Sequence, residues 1–167
     1  MRIFLIIIVL FFCSCQSSKV FHKPYPSPKA WLKYCDIYDK SYPKENKKTL
    51  DDIMKIYLDI FLRFFYTKDK KDVWNKLSGE FLYGDCEDFA ITLREELLNS
   101  GFRKNDVRLA LCAIKKTTIE YDHMVCLIYC DGKEYVADNV SLYLKNEYIV
   151  YKWAAVLDEQ GIYWNKM

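Results

Sequence analysis

Apolar residues recur three and four positions apart in the segment 49–66, which is the spacing of one face of an α-helix. Thr49 and Asp52 stand at its start in the spacing of a capping box, in which each side chain accepts a hydrogen bond from the other residue's backbone amide. The segment is therefore predicted to be a core helix. Its predicted buried positions are Leu50, Ile53, Met54, Tyr57, Leu58, Phe61, Leu62 and Phe65.

A second helix is predicted to begin at Asp85 or Cys86 and to run to about Asn99. Gly101 follows at the position where a helix commonly ends in a left-handed residue. The predicted buried stripe of this helix consists of Ala90, Leu93, Leu97 and Leu98.

After Gly101 the apolar pattern changes to period two, which is typical of β-strands. Alternation runs from Val107 to Ala113, and the segments 123–130 and 133–138 are rich in β-forming residues. The intervening pair, Asp131-Gly132, is a strong signal for a two-residue hairpin turn. Helices followed by an antiparallel sheet predict an α+β fold.

The predicted hairpin brings two polar residues together. A turn at 131–132 pairs Val125 with Asp138, so His123 lies diagonal to Asp138 on the same face of the sheet. Their backbones are then roughly 7–8 Å apart, a separation that polar side chains can bridge. This is the placement that a general base and its orienting acid require.

Cys86 stands at the predicted start of the second helix, where unpaired backbone amides and the helix dipole favour a thiolate. Its neighbours Asp85, Glu87 and Asp88 act in the opposite direction and raise the thiol pKa. Either a cationic partner or a bound metal ion is needed to offset them. Glu87 and Asp88 also suit the helix dipole without any metal, so both interpretations stay open.

If this helix packs on the sheet face that carries His123, a Cys-His-Asp arrangement follows. Cys86 attacks the substrate, His123 transfers the proton and Asp138 fixes the imidazole tautomer. The sequence thus predicts a nucleophilic thiol that forms a thioester with its substrate.

The chain begins with an apolar run of ten residues, 3–12, about half of the ~20 needed to span a bilayer as a helix. The following stretch, Phe12-Cys13-Ser14-Cys15, resembles the lipobox of bacterial lipoproteins. Residues 1–14 are therefore predicted to be a signal peptide and Cys15 the lipidated first residue of the mature protein. An ordinary secretory signal cleaved nearby is the alternative. Residues 15–46 are predicted to form a tether, and residues 47–167 the domain.

Composition adds little about partners. The 167 residues are 51% hydrophobic, which suits one compact domain with a real core. The 25 Lys and Arg residues nearly balance the 23 Asp and Glu residues, so no nucleic-acid partner is expected. Without a Cys-x-x-Cys motif or a His pair, a zinc site is not expected either.

Five thiols remain once Cys13 is removed and Cys15 is lipidated. An odd number in an oxidising compartment leaves at least one unpaired, which agrees with a reactive Cys86. The five are Cys35, Cys86, Cys112, Cys126 and Cys130.

Several motifs together resemble the bacterial transglutaminase-like cysteine proteinases, over roughly residues 50–167. They are Trp74, Glu80, Gly84-Asp85-Cys86-Glu87-Asp88-Phe89-Ala90, Asp122-His123-Met124-Val125, Ala137-Asp138-Asn139 and Tyr163-Trp164.

The resemblance implies a papain-like or transglutaminase-like fold, with Cys86, His123 and Asp138 as the catalytic triad. With it, the expected function is that of a thiol endopeptidase acting on a protein or peptide through a thioester. Two alternatives stay open: acyl transfer or deamidation at the same site, and a non-catalytic, calcium-binding lipoprotein module. It also implies a periplasmic location and allows a regulatory protein partner. A calcium ion near the nucleophile is implied as well, held by Asp85 and Glu87. Further calcium ligands are expected from a backbone carbonyl or from an upstream acid, Asp69 or Asp72.

Overall fold

The computed structural model describes residues 47–68, 73–113, 122–144, 151–158 and 161–164. The predicted signal peptide, the lipidated Cys15, the tether, Cys35 and the two acids Asp69 and Asp72 lie outside these residues. The described elements, in chain order, are α1 (Leu50–Phe61), β1 (Phe64–Tyr66), β2 (Leu82–Gly84), α2 (Cys86–Asn99), a 3-10 turn (Lys104–Asp106), β3 (Val107–Ala113), β4 (His123–Cys130), β5 (Lys133–Ala137), β6 (Leu142–Leu144), β7 (Lys152–Asp158) and β8 (Gly161–Trp164).

Helices come first and the main sheet second, which confirms the predicted α+β class. The main sheet has six strands in the order β6-β5-β4-β3-β7-β8, and every neighbouring pair is antiparallel. Strands β1 and β2 form a separate two-stranded parallel sheet that leads into α2. Neither of the described helices is long and apolar enough to cross a membrane.

Helix α1 begins where the capping box predicts. The Thr49 amide donates to Asp52 Oδ2 at 2.9 Å, and the Asp52 amide donates to Thr49 Oγ1 at 3.4 Å. The predicted end near residue 66 is wrong, because α1 ends at Phe61 and residues 64–66 form strand β1. The backbone of this aromatic stretch pairs with β2 instead, and aromatic residues suit strands.

The predicted buried face of α1 is too wide. Ile53, Tyr57 and Ile60 are buried, and they form the contact with α2 and the sheet. Phe61 is half-buried and packs against the same core, whereas the other predicted positions are exposed. The exposed residues are Leu50, Met54, Leu58, Leu62 and Phe65, and Leu62 has 76% of its surface exposed.

Helix α2 has the predicted bounds, and Gly101 follows it with a left-handed φ of 97°. All four residues of the predicted stripe are fully buried. Burial extends well beyond that stripe, however, since five polar residues of this helix are also buried. They are Glu87, Asp88, Thr92, Arg94 and Glu95. Helix α2 is thus the central element of the domain.

The β4–β5 hairpin has the predicted register, in which Cys126 faces Ala137 and Cys130 faces Lys133. Asp131 and Gly132 both have left-handed φ values, of 48° and 75°, as the tight turn requires. This register is what places Asp138 immediately beyond the partner of Cys126.

The face of the sheet on which α2 packs differs from the expectation. Phe89 and Leu93 of α2 pack with Cys126 and Ile128, whereas His123 belongs to the alternate positions of β4. The condition set for the Cys-His-Asp arrangement, that α2 packs on the sheet face of His123, is therefore not met. The even-numbered side chains of β4 are the more uniformly apolar set and take the helical layer, and Val125 and Leu127 pack against Tyr151 on the other face.

The cysteines described besides Cys86 are buried thiols without a disulfide partner: Cys112, Cys126 and Cys130. Cys126 and Cys130 pack in the core on the face opposite His123, as their alternation predicts. Burial raises the pKa of Cys126 to about 12, so this thiol is unreactive at neutral pH.

Gly84 links β2 to the start of α2 at a place with no room for a side chain. A Cβ there would lie 2.7 Å from Asp88 Oδ2 and 2.8 Å from Asp88 Cβ. We expect Gly84→Ala to lower the free energy of unfolding by about 1 to 3 kcal/mol, since a packed neighbour must move. Thermal unfolding measures this. Gly132→Asn is the control, because nothing lies within 4 Å of a Cβ there and Asn tolerates a left-handed φ. A Gly84→Ala protein as stable as wild type would contradict the packing described.

Candidate active site

Cys86 is the first residue of α2, directly after the link from β2. Asp85 occupies the N-cap position with extended backbone angles, and its side chain makes no capping hydrogen bond. Asp85 therefore does not cap α2 with its side chain. Because α2 is buried on nearly all sides, its first turn is fixed against the beginning of β4, and this holds the Cys86 thiol in place.

The Cys86 thiol contacts a carboxylate and a backbone amide. Its Sγ donates to Glu87 Oε2 at 3.0 Å, and the Met124 amide of β4 donates to the sulfur. Burial raises the thiol pKa well above its ordinary value, and the charges of Glu87 and Asp85 raise it further. The Met124 amide acts in the opposite direction but is outweighed. In this arrangement Cys86 is a neutral thiol.

Asp85 and Glu87 form a buried acidic pair beside the thiol, and their side chains are hydrogen-bonded to each other. Burial raises the pKa of Glu87 to about 8, with the hydrogen bond and charge of Asp85 as the next causes. Glu87 therefore holds its proton over much of the neutral range. Asp85 Oδ1 is buried with no hydrogen-bond donor among the described residues.

These features suit a hard cation. Carboxylate oxygens are the ligands that calcium prefers, and the unpaired Asp85 oxygen is an open ligand position. Calcium takes about six to eight oxygens, more than two carboxylates supply. Within the ranges that the structure describes, no group of three or more His, Cys, Asp or Glu side chains is arranged to hold a metal ion. Asp69 and Asp72, expected as further ligands, lie outside those ranges.

Asp88, the third acid beside Cys86 in the sequence, has a structural role. Its Oδ1 accepts a hydrogen bond from the Asn75 amide at 2.8 Å, and Thr92 Oγ1 accepts one from the Leu77 amide at 2.8 Å. The two side chains thus tie the segment 73–78 along α2.

His123 and Asp138 lie together as the hairpin register predicts. His123 Nε2 is 3.2 Å from Asp138 Oδ2, and both side chains are buried. Burial alone would raise the pKa of Asp138, but the contacts with His123 and Tyr151 outweigh it and hold this pKa below its ordinary value. Asp138 is therefore an anion that orients the imidazole. With Nε2 on Asp138, Nδ1 is the ring nitrogen left to accept a proton.

Two tyrosines at Asp138 were not identified from the sequence. The Tyr151 hydroxyl donates to Asp138 Oδ2, and the Tyr151 ring stacks on His123 with centroids 5.7 Å apart. The Tyr57 hydroxyl donates to the Asp138 backbone carbonyl at 3.0 Å. Among 14 tyrosines, no local pattern marks these two, because both contacts depend on how α1 and β7 fold against the hairpin.

The structure places the candidate catalytic residues in one region, as a His123–Asp138 pair and a separate Cys86 thiol. His123 and Asp138 form a buried pair, and Cys86 contacts the backbone of Met124, the residue after His123. The hydrogen bond of the Cys86 thiol itself goes to Glu87. A buried nucleophile beside a strand that carries an oriented base is an arrangement that can perform acyl transfer, once the thiol proton moves to the imidazole.

Comparison with known proteins agrees with this geometry. The family model described as bacterial transglutaminase-like cysteine proteinase (BTLCP) matches residues 22–161. No curated protein sequence matches at a significant level.

Among solved structures, Legionella pneumophila LapG is similar with a TM-score of 0.59 and 22% identity, over 83% of this chain and 79% of that one. Its calcium-bound form gives 0.60 and 20%, over 83% and 80%. Its EGTA-treated form gives 0.57 and 22%, over 83% and 77%. These likenesses show a shared transglutaminase-like fold. Since the family model covers most of the chain, this protein belongs to the bacterial transglutaminase-like cysteine proteinases and is a cysteine peptidase of that type.

Proposed function

We propose that the protein is a thiol endopeptidase in which Cys86 is the nucleophile, His123 the general base and Asp138 the orienting acid. The observation that carries this is the buried His123–Asp138 pair, whose Nε2 and Oδ2 atoms are 3.2 Å apart. His123 lies on the strand whose Met124 amide contacts the Cys86 sulfur. Membership of a cysteine proteinase family supports the assignment. Of the three other described thiols, Cys112 lies opposite His123 in the sheet, but none of the three stands at a helix start.

The proposed reaction begins when the Cys86 proton passes to His123 Nδ1. The sulfur then bonds to the peptide carbonyl carbon, and the Cys86 backbone amide at the start of α2 stabilises the developing oxyanion. The peptide C–N bond breaks, and the leaving amine takes the proton from His123. Water next attacks the thioester carbon while His123 accepts its proton, the C–S bond breaks, and the proton returns to sulfur.

The acidic pair must release the thiol before this reaction can begin. With Glu87 accepting the thiol hydrogen bond, the proton is held on sulfur and the nucleophile is inactive. We propose that Asp85 and Glu87 bind calcium, as the buried pair and the unpaired Asp85 oxygen favour. A bound calcium ion would supply positive charge beside the two carboxylates and so would favour the ionised form of Glu87. The calcium-bound form of Legionella pneumophila LapG supports this proposal.

We propose further that the mature chain is anchored through a lipidated Cys15 on the periplasmic side of a bacterial membrane. The support is the ten-residue apolar run and the lipobox-like Phe12-Cys13-Ser14-Cys15. An anchored peptidase would act on proteins near that membrane surface.

Removing either reacting group should abolish turnover. We expect Cys86→Ala and His123→Ala to lose roughly 10³-fold or more of the peptidase activity, and Asp138→Asn to lose as much or less, since Asp138 acts through His123. Cleavage of a mixed peptide library, followed by mass spectrometry, measures this. The same spectra distinguish hydrolysis from deamidation, which changes the mass by about one dalton, and from cross-linking.

Cys130→Ala is the matched control, because it removes another thiol at the far end of the hairpin. It should keep the wild-type rate. Wild-type turnover by Cys86→Ala would show that the nucleophile is elsewhere.

Calcium should stabilise the protein most at higher pH. The folded pKa of Glu87, about 8, is above its ordinary value of 4.5, so in metal-free protein the unfolded state releases this proton first as pH rises. Stability is therefore expected to fall between about pH 5 and pH 8 without calcium, and calcium at pH 8 should raise the melting temperature. Glu87→Gln should weaken both effects, whereas Glu80→Gln, at an exposed position, should change neither. A metal-stripped wild type whose melting temperature ignores saturating calcium would rule out the site.

The anchor is tested on the full chain expressed in bacteria. Wild-type protein should partition with membranes and incorporate labelled fatty acid, and Cys15→Ser should do neither. Cys13→Ser is the matched control and should behave as wild type. If Cys15→Ser still partitions with membranes and no label enters the wild type, the lipoprotein assignment is wrong.

A further inference from the structure

Tyr151 contacts both members of the His123–Asp138 pair. Its hydroxyl donates to Asp138 Oδ2, the same oxygen that lies 3.2 Å from His123 Nε2. Tyr151 is buried and directly precedes β7, so it lies outside both the helices and the β4–β5 hairpin. One carboxylate oxygen therefore has two partners, which together restrict rotation of the Asp138 side chain.

The Tyr151 ring also holds the plane of the imidazole. The two rings are nearly parallel, at 28°, with centroids 5.7 Å apart. Tyr151 is itself packed against the Tyr143 ring at 6.3 Å and edge-on against Trp153 at 5.6 Å. The imidazole thus rests on a ring that is fixed by further aromatic packing.

The hydroxyl serves as a donor across the neutral range. Burial raises the pKa of Tyr151 far above its ordinary value, and the hydrogen bond to Asp138 raises it further. Its proton is therefore never lost under working conditions, and the Asp138 oxygen is always the acceptor.

We propose that Tyr151 is a positioning residue that fixes the Asp138 carboxylate on His123 Nε2 and so directs Nδ1 toward the Cys86 thiol. The inference rests on the proposed function, because it assigns Tyr151 a role through the proposed base. In this role Tyr151 makes no bond to the substrate. Removal of its hydroxyl allows the Asp138 carboxylate to rotate away from the His123 imidazole.

A second tyrosine contact at Asp138 provides a control that distinguishes positioning of the carboxylate from general support of the fold. Tyr57 donates to the Asp138 backbone carbonyl, and the Asp138 amide donates to the Ser141 carbonyl at 2.9 Å. Tyr57→Phe therefore also removes a tyrosine hydroxyl that contacts Asp138, but it leaves the contact between Tyr151 and the Asp138 carboxylate intact. It is the matched control for Tyr151→Phe. Tyr129→Phe, at a half-exposed position on β4, controls for the substitution itself.

The experiment uses the full chain and needs no substrate. Iodoacetamide alkylation of Cys86 in calcium-treated protein at neutral pH, followed by peptide mass spectrometry, reports how readily the thiol loses its proton. We expect Tyr151→Phe to slow alkylation of Cys86 about tenfold, as for loss of a hydrogen bond to a charged group. Tyr129→Phe should be unchanged. Tyr57→Phe should lower the melting temperature and slow alkylation less than Tyr151→Phe does.

Nitrogen and proton NMR give a second, direct reading. The chain has two histidines, so His22→Gln assigns the His123 signals. In the Cys86→Ala protein we expect a slowly exchanging, downfield Nε2 proton on His123 and a similar hydroxyl proton on Tyr151. Tyr151→Phe should remove the His123 signal, and Tyr57→Phe should keep it.

The outcomes are distinguishable from failure of the proposed function. If Tyr151→Phe lowers the melting temperature but leaves the rate of Cys86 alkylation and the His123 proton signal unchanged, Tyr151 only supports the fold. The inference is then overturned. Absence of a protected Tyr151 hydroxyl proton overturns it even if the variant does not fold. If His123→Ala is alkylated at the wild-type rate, the proposed function fails instead, and the NMR signals still decide whether Tyr151 positions the imidazole.

Discussion

The burial of helix α2 on nearly all sides is the constraint on which the rest of the domain depends. Its apolar residues fill the core against β4 and α1, and its polar residues are held by specific partners. Asp88 and Thr92 bind the backbone of the segment 73–78, and Arg94 pairs with Glu95 at 3.0 Å. A helix held in this way cannot slide, so the position of Cys86 relative to β4 is set by the whole core. Since a buried ion pair leaves an uncompensated charge when one partner is lost, these polar contacts also make the position costly to change.

The same burial creates the electrostatic problem at the site. A thiol and two carboxyl groups are removed from water within three consecutive residues, and the charged forms of Cys86 and Glu87 are disfavoured. Hydrogen bonds offset the cost of this burial: Cys86 donates to Glu87, and Glu87 is hydrogen-bonded to Asp85. The result is a stable but inactive thiol. On the other side of β4 the opposite condition holds, because Asp138 stays ionised through its contacts with His123 and Tyr151. In the proposed enzyme the base, His123, is therefore already oriented, whereas the nucleophile, Cys86, is held as a neutral thiol.

Features that depend on local spacing could be predicted from the sequence. The capping box of α1, the bounds of α2 and the hairpin register are of this kind, and the register alone was enough to place His123 beside Asp138. Features that depend on how layers meet could not. The end of α1 is set by pairing between β1 and β2, and the face taken by α2 is set by the whole pattern of β4. Tyr151 contacts Asp138 only because β7 lies beside β3, a long-range pairing that no short motif specifies.

The central claim, that Cys86 is a nucleophile activated by His123, is tested most directly by covalent trapping. The calcium-treated protein is incubated with a mixture of peptidyl acyloxymethyl ketones, which react with a thiolate that stands beside a base, and is then analysed by intact and peptide mass spectrometry. The account predicts a single adduct on Cys86 in wild type and none in His123→Ala. An adduct on Cys112, Cys126 or Cys130 instead, or equal labelling of Cys86 without His123, would contradict it.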